Sequence, residues 1–198
     1  MKRTAILLLA AAIAAAPAWA LLPSFGVKGG INMATYTGSD AGSPDMKMGG
    51  VGGAFLTLDL IALKIQPELL FSQKGAKETI SGVTLSTTQN YLEVPVLLKY
   101  SFGAIIVPSV YVGPSFGMLM SATATASGGG VSGSTDIKNY LNGTDVGLVI
   151  GAEVKTPMKL SIEARYNLGL SKVPKEVLGV QSDVKNSTIS VMLGYSLL

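Results

Sequence analysis

Residues 63–74 read LKIQPELLFSQK, and their alternation decides the fold. Leu63, Ile65, Pro67, Leu69 and Phe71 fall on one side of an extended chain; Lys64, Gln66, Glu68, Leu70, Ser72 and Lys74 fall on the other. Successive side chains of a strand point to opposite faces, so a period of two predicts a strand with one apolar face and one mixed polar face. The pattern recurs in YLEVPVLLKYSF (91–102), where Leu92, Val94, Val96, Leu98, Tyr100 and Phe102 oppose Glu93 and Lys99. It recurs again where Val146, Leu148, Ile150, Ala152 and Val154 oppose Gly147, Gly151, Glu153 and Lys155. In KLSIEARYNLGL the set Leu160, Ile162, Ala164, Tyr166, Leu168 and Leu170 opposes Ser161, Glu163, Arg165, Asn167 and Gly169. Near the end, Ile189, Val191, Leu193, Tyr195 and Leu197 oppose Ser190, Met192, Gly194 and Ser196. Glycine dilutes the same signal around 24–37, 46–60 and 107–126, which brings the expected total to eight strands.

The connections alternate in length. Long, Gly/Ser/Lys-rich segments are expected at 38–45, 77–86, 127–142 and 171–186, and tight turns around Asp59–Ala62, Gly103–Ile106 and Thr156–Met158. Long and short connections in strict alternation place every long loop at one end, which describes an up-and-down antiparallel barrel. Short periplasmic turns with longer extracellular loops characterise transmembrane barrels of the outer-membrane type.

Composition decides which face points outward. Only 14% of the 198 residues are charged, against roughly 25% in an average soluble domain. A secreted, lipocalin-like soluble barrel would need a charged exterior, and this chain cannot supply one. Bulky apolar side chains instead run for five or six positions per strand, enough for the lipid-facing band of roughly 25 Å. Phe25, Phe71, Tyr100, Phe102, Tyr166 and Tyr195 share the outward parity near strand ends, where an interfacial girdle belongs. The inward parity collects Lys28, Lys64, Lys99, Lys155 and Arg165 against Asp59, Glu68, Glu93, Glu153 and Glu163. Unpaired charges in a narrow interior are costly, so a structural ion-pair network is expected from Lys64, Glu68, Glu93, Lys99, Glu153, Lys155, Glu163 and Arg165. Pairing about the 156–158 turn sets Glu153 beside Glu163 and Arg165, and Arg165 is expected to bridge the two carboxylates.

The first 20 residues read as an address. Lys2 and Arg3 precede an apolar run from Ala5 to Ala16, Pro17 ends it, and Ala18-Trp19-Ala20 has the small-x-small form of a cleavage site. A cleavable signal peptide (1–20) followed by one barrel domain (21–198) is expected. Losing Lys2 and Arg3 brings 15 basic and 12 acidic side chains close to balance, so the charge is no argument for a nucleic-acid partner. With no Cys and no His, disulfides, thiolate nucleophiles and imidazole-based catalysis or zinc binding are excluded.

The segments YLEVPVLLKYSF, VPSVYVGPSFGMLM and DVGLVIGAEVKTPMKLSIEARYNLGLSKV, together with FGVKGGINMATYTG after the leader, resemble the outer-membrane β-barrel family often labelled "porin family". The resemblance spans roughly 24–198 and is most specific at Leu-Glu-Val-Pro and Glu-Ala-Arg-Tyr-Asn-Leu-Gly-Leu. It implies an eight-stranded barrel in a Gram-negative-type outer membrane, and it transfers no catalytic residue. Such barrels usually end in an aromatic residue read by the assembly machinery, whereas this chain ends Gly194-Tyr195-Ser196-Leu197-Leu198.

Other motifs have plain readings. KMGGVGGA (47–54) misses the phosphate-loop pattern, because Phe55 stands where the last glycine belongs and no helix pattern follows. Asn142-Gly143-Thr144 and Asn186-Ser187-Thr188 match the glycosylation triplet by chance in a Ser/Thr-rich chain. Glu153, Glu163 and Arg165 could serve as an acid/base group, but a shared inward parity favours a structural role. Asp136 and Asp145 have no calcium-loop spacing. The expectation is therefore an outer-membrane structural or interaction barrel, not an enzyme, with no cofactor, no metal and no large open pore. Its expected partners are outer-membrane lipid, the assembly machinery and an extracellular ligand at the four long loops, and it is expected to be a monomer. A small diffusion pore is the main alternative, and it is resisted by an eight-stranded interior just wide enough for side chains.

Overall fold

The computed structural model describes residues 23–60, 63–176 and 182–197; the expected leader at 1–20 lies outside the described residues. These form nine strands: β1 (Ser24–Thr37), β2 (Asp45–Leu60), β3 (Leu63–Ile80), β4 (Val83–Ser101), β5 (Val107–Gly128), β6 (Val131–Asp136), β7 (Thr144–Lys155), β8 (Leu160–Gly169) and β9 (Lys185–Ser196). A single 3-10 turn, Lys138–Tyr140, follows β6. No helix among the described residues is long and apolar enough to cross a membrane.

Every pairing is antiparallel, and eight of the strands close a ring in the order β1-β2-β3-β4-β5-β7-β8-β9. The ninth strand, β6, stands outside the ring and pairs with the far end of β5. Alternation follows from closure: along β8 the burial pattern is eBeBeBeBeB, with Ser161, Glu163, Arg165 and Asn167 inside and Leu160, Ile162, Ala164 and Tyr166 outside. Around the ring the outward set is large and apolar, including Leu193 at 65% and Ile150 at 58% exposure. All six outward aromatics named from the sequence stand exposed on the wall. A continuous apolar exterior of this extent would aggregate in water and is the surface that lipid requires.

Two of the expected long loops are largely strand. The segment expected as a loop at 77–86 continues β3 to Ile80 and begins β4 at Val83, leaving only Ser81-Gly82 as the turn. Both turn residues take positive φ, 50° and 82°, as a two-residue hairpin matched to strand twist demands. The segment 127–142 forms the end of β5, a second such turn at Gly129-Gly130, and β6. Every residue of β6 is exposed, so it carries no apolar alternation for the sequence reading to detect. As a result the wall is lopsided. β5 has 22 residues and β8 only 10, against the 9–11 that a tilted strand needs to cross a bilayer. The extra length of β3, β4 and β5, with β6, rises above the ring as a four-stranded extension.

Candidate functional site

Among the described residues the lumen concentrates charge, and it is filled in tiers. In the middle tier Lys28 donates Nζ to Glu68 Oε1 at 2.7 Å and to Glu163 Oε2 at 2.8 Å. Arg165 donates Nη1 to Glu68 Oε2 at 2.8 Å, and Gln66 donates Nε2 to Glu68 Oε1 at 2.7 Å. These four ionised side chains are at most 3% exposed, and two cations face two carboxylates. The Phe55 ring lies 5.1 Å from Lys28 Nζ, which adds a favourable cation–π contact in a desolvated setting. Gly151 makes room for the tier. A Cβ there would stand 2.6 Å from Tyr111 Oη and 2.7 Å from Arg165 Cβ.

Toward the short turns, Lys99 donates to Glu153 Oε1 at 2.8 Å and to Gln66 Oε1 at 3.0 Å. Gln66 thus links two tiers through the two ends of one amide. Lys64 pairs with Asp59 at 2.6 Å on the rim, where both are part-exposed. Lys155 lines the same mouth, a recess of about 210 Å³ ringed also by Ser101, Ser109, Ser161 and Ser196. Toward the long loops, Lys74 pairs with Glu93 and with Asp145, the latter at 3.1 Å. Asp145 also accepts from Asn186 Nδ2 at 3.0 Å and Ser171 Oγ at 3.0 Å. Apolar collars fill the gaps between tiers: Val51, Leu70 and Met192; Leu97, Tyr111 and Val149; Tyr91, Leu119 and Ala122.

The eight residues expected in an interior network divide accordingly. Glu68, Glu163 and Arg165 meet in the middle tier, Lys99 and Glu153 below it, and Glu93 above it. Lys64 and Lys155 stay at the mouth. Glu153 does sit directly across from Glu163 in the β7–β8 register, but the expected bridging by Arg165 is corrected. Lys99 neutralises Glu153, Lys28 neutralises Glu163, and Arg165 reaches over to Glu68 on β3. Asp145, which the sequence places beside a loop, is a lumen residue. It shares the inward parity of Gly147, Gly151 and Glu153, and that parity is the signal that puts it inside.

At the loop end, separate connections are tied together. Leu141 bridges Pro174, Asn142 donates Nδ2 to the Lys172 and Pro174 carbonyls at 2.8 and 2.9 Å, and the Lys175 amide donates to Tyr140 O at 3.0 Å. Asp183 joins the first loop to the last: Ser39 N–H donates to Asp183 Oδ2 at 3.4 Å, and Asp183 N–H donates to Asp40 Oδ2 at 2.7 Å. The Lys185 ammonium beside Asp183, with the Ser39 amide, holds that carboxyl below its usual range. Among the described residues no group of three or more His, Cys, Asp or Glu could hold a metal ion.

A charge-filled lumen inside an apolar wall is the geometry of a small membrane barrel, and comparison with known proteins agrees. The model of the outer membrane protein beta-barrel domain matches residues 22–174. The chain belongs to that family. No curated protein matches it by sequence. Among solved structures it is similar to Ail, the attachment invasion locus protein of Yersinia pestis, with a TM-score of 0.50 and 14% identity over 88% of this chain and 98% of that one. It is also similar to Neisserial surface protein A (TM-score 0.47, 14% identity, 86% and 96% covered) and to a major outer membrane protein of Thermus thermophilus (0.49, 11%, 89% and 100%). At 14% identity the likeness to Ail speaks for the fold alone. The family makes this a β-barrel of the bacterial outer membrane.

Proposed function

We propose that the protein is a structural and interaction barrel of the outer membrane, which presents extracellular loops and has no large open pore. The observation that carries this reading is the middle tier: Lys28, Glu68, Glu163 and Arg165 span the lumen from β1, β3 and β8, with side chains at most 3% exposed. Ions would have to break several short charge-assisted bonds to pass, whereas open aqueous channels belong to barrels of about 16 strands. Above the plug, the mutual bonding of the 137–142 and 172–175 segments supports a preorganised binding surface, because loops already ordered lose less entropy on binding. The paired lumen acts as a strut and has no acid/base role, since each carboxylate of the middle tier is already held by a cation.

Single-channel recording of the mature, refolded protein in planar bilayers tests the proposal. We expect no persistent steps of porin size. Large, stable unitary conductance from homogeneous protein would overturn it and favour the diffusion-pore reading.

A further inference from the structure

The outward wall changes chemistry along one row. Phe71, Leu92 and Met118 are register partners on β3, β4 and β5, and all three point outward as part of the lipid-facing surface. The next outward row up is Gln73, Asn90 and Ser121, joined by Gln73 Nε2 to Asn90 Oδ1 at 3.1 Å and Asn90 Nδ2 to Ser121 Oγ at 2.8 Å. Above it the same face carries Thr88 beside Thr123, then Ser86 beside Thr125 and Ser134, then Thr79, Thr84, Ser127 and Ser132 across four strands. Met120, in the β5 bulge between Leu119 and Ser121, stands half-exposed at the lower edge of this face, and no apolar side chain stands in the rows above Ser121. With strand and residue spacings of about 4.8 and 3.4 Å, these hydroxyls tile roughly 20 by 14 Å.

The opposite face of the same extension is different. Ile80, Val83, Leu85 and Val131 lie there and are exposed. The sheet is therefore sided, and its hydroxyl side is the one continuous with the lipid-facing wall.

We propose that this hydroxyl face is a docking surface for the saccharide head of a glycolipid in the surrounding outer leaflet. Position supports it: directly above the last lipid-facing row, alongside the barrel, stand the head groups of the lipids that cover that row. Chemistry supports it too. The face is a lattice of neutral donors and acceptors, complementary to a polyol. Its charged residues lie at the margins, Lys77 opposite Asp45 in the β2–β3 register and Asp136, which accepts the Lys138 amide at 2.8 Å. A phosphate site would show Arg or Lys at its centre, and a protein interface would show aromatic or aliphatic anchors. The inference rests on the outer-membrane location and on neither the closed lumen nor the loops.

The test is amide hydrogen exchange on the full mature chain in three nanodiscs. One holds phospholipid alone, one adds lipopolysaccharide bearing its core saccharide, and one adds the same glycolipid truncated before the core, which leaves the acylated glucosamine anchor and its phosphates. Exchange in 84–88 and 121–127 is expected to slow about tenfold only with the core saccharide present. The variant Thr84→Val/Thr88→Val/Thr123→Val/Thr125→Val, with shape and strand preference kept, is expected to lose that slowing while β7–β9 stay protected, which shows that the barrel has folded. Equal slowing in all three discs, slowing with the truncated glycolipid, or slowing retained by the variant would overturn the proposal. Slowing that rises with protein density in phospholipid alone would assign the face to a second copy and overturn it as well.

Discussion

Glu68 is the hub of the lumen, and Glu68→Gln is the substitution whose cost the structure sets best. The carboxylate accepts from Lys28, Gln66 and Arg165 at 2.7–2.8 Å, and its side chain is fully buried. At an effective dielectric of about 20, each of the two ionic contacts amounts to about 6 kcal/mol of Coulomb energy before desolvation. Glutamine keeps the shape but leaves Lys28 and Arg165 facing each other with only Glu163 between them. Removing one side of a buried pair costs about 3–5 kcal/mol, because the surviving charge stays desolvated, and the loss here belongs at the upper end. Urea unfolding of the refolded protein in detergent micelles measures it. The decisive control is Arg165→Met in the Glu68→Gln background: the double variant is expected to be more stable than the two single losses added together, with a coupling of about 1–3 kcal/mol. A Glu68→Gln loss below about 1 kcal/mol, or strict additivity with Arg165→Met, would refute the idea that these charges hold the lumen together.

Three further outcomes follow from the same geometry. Gly151→Val drives a side chain into Tyr111 and Arg165, so a loss of about 1–3 kcal/mol is expected in the same unfolding assay. Lys64→Ala, at the rim with a part-exposed partner, is expected to cost less than about 1 kcal/mol, whereas Lys99→Met strands buried Glu153 and is expected to cost several times more; equal effects would contradict the tiered lumen. Because the Asp183 carboxyl is held below its usual range, chiefly by Lys185 and then by the Ser39 amide, its tie to the first loop is present above the ordinary aspartate pKa of about 3.9 and is lost as pH falls through its lower folded value. Limited proteolysis between pH 3 and pH 7 is expected to show the 38–45 loop opening only at the acid end, and opening near pH 6 would contradict this.

The parity of 63–74, 91–102 and 160–170 is enough to place lipid-facing and lumen-facing side chains, because closure forces one face inward along every strand. The partners of the lumen charges are not legible in the same way. Lys28 meets a residue 135 positions away and Arg165 one 97 positions away, contacts set by strand tilt and stagger across the ring and carried by no local spacing. Apolar residues at inward positions, such as Leu70, Leu97 and Val149, read as faults in the alternation and prove to be the collars that separate the tiers. The extension of β3–β6 is hidden for a different reason. Once a sheet rises above the ring no face has to meet hydrocarbon, so the apolar residues that alternate with hydroxyls thin out to a few such as Val83 and Leu85, and in Val131–Asp136 only Val131 is left.

The pairing of β1 with β9 joins Gly26 to Ser196 and Thr37 to Lys185, so the first strand to leave the export channel waits for the last. Bringing together ends separated by about 170 residues costs about 4–5 kcal/mol of chain entropy, and no shorter-range contact can stand in for it. Asn32, which accepts from Ser190 at 2.7 Å and donates to Ser72 at 3.0 Å, acts as a latch that engages only when this seam shuts. Until then both terminal strands are open edges, each able to pair with another chain. Such high contact order slows folding, and assembly of this barrel is accordingly a race between zipping its own seam and being zipped by a neighbour.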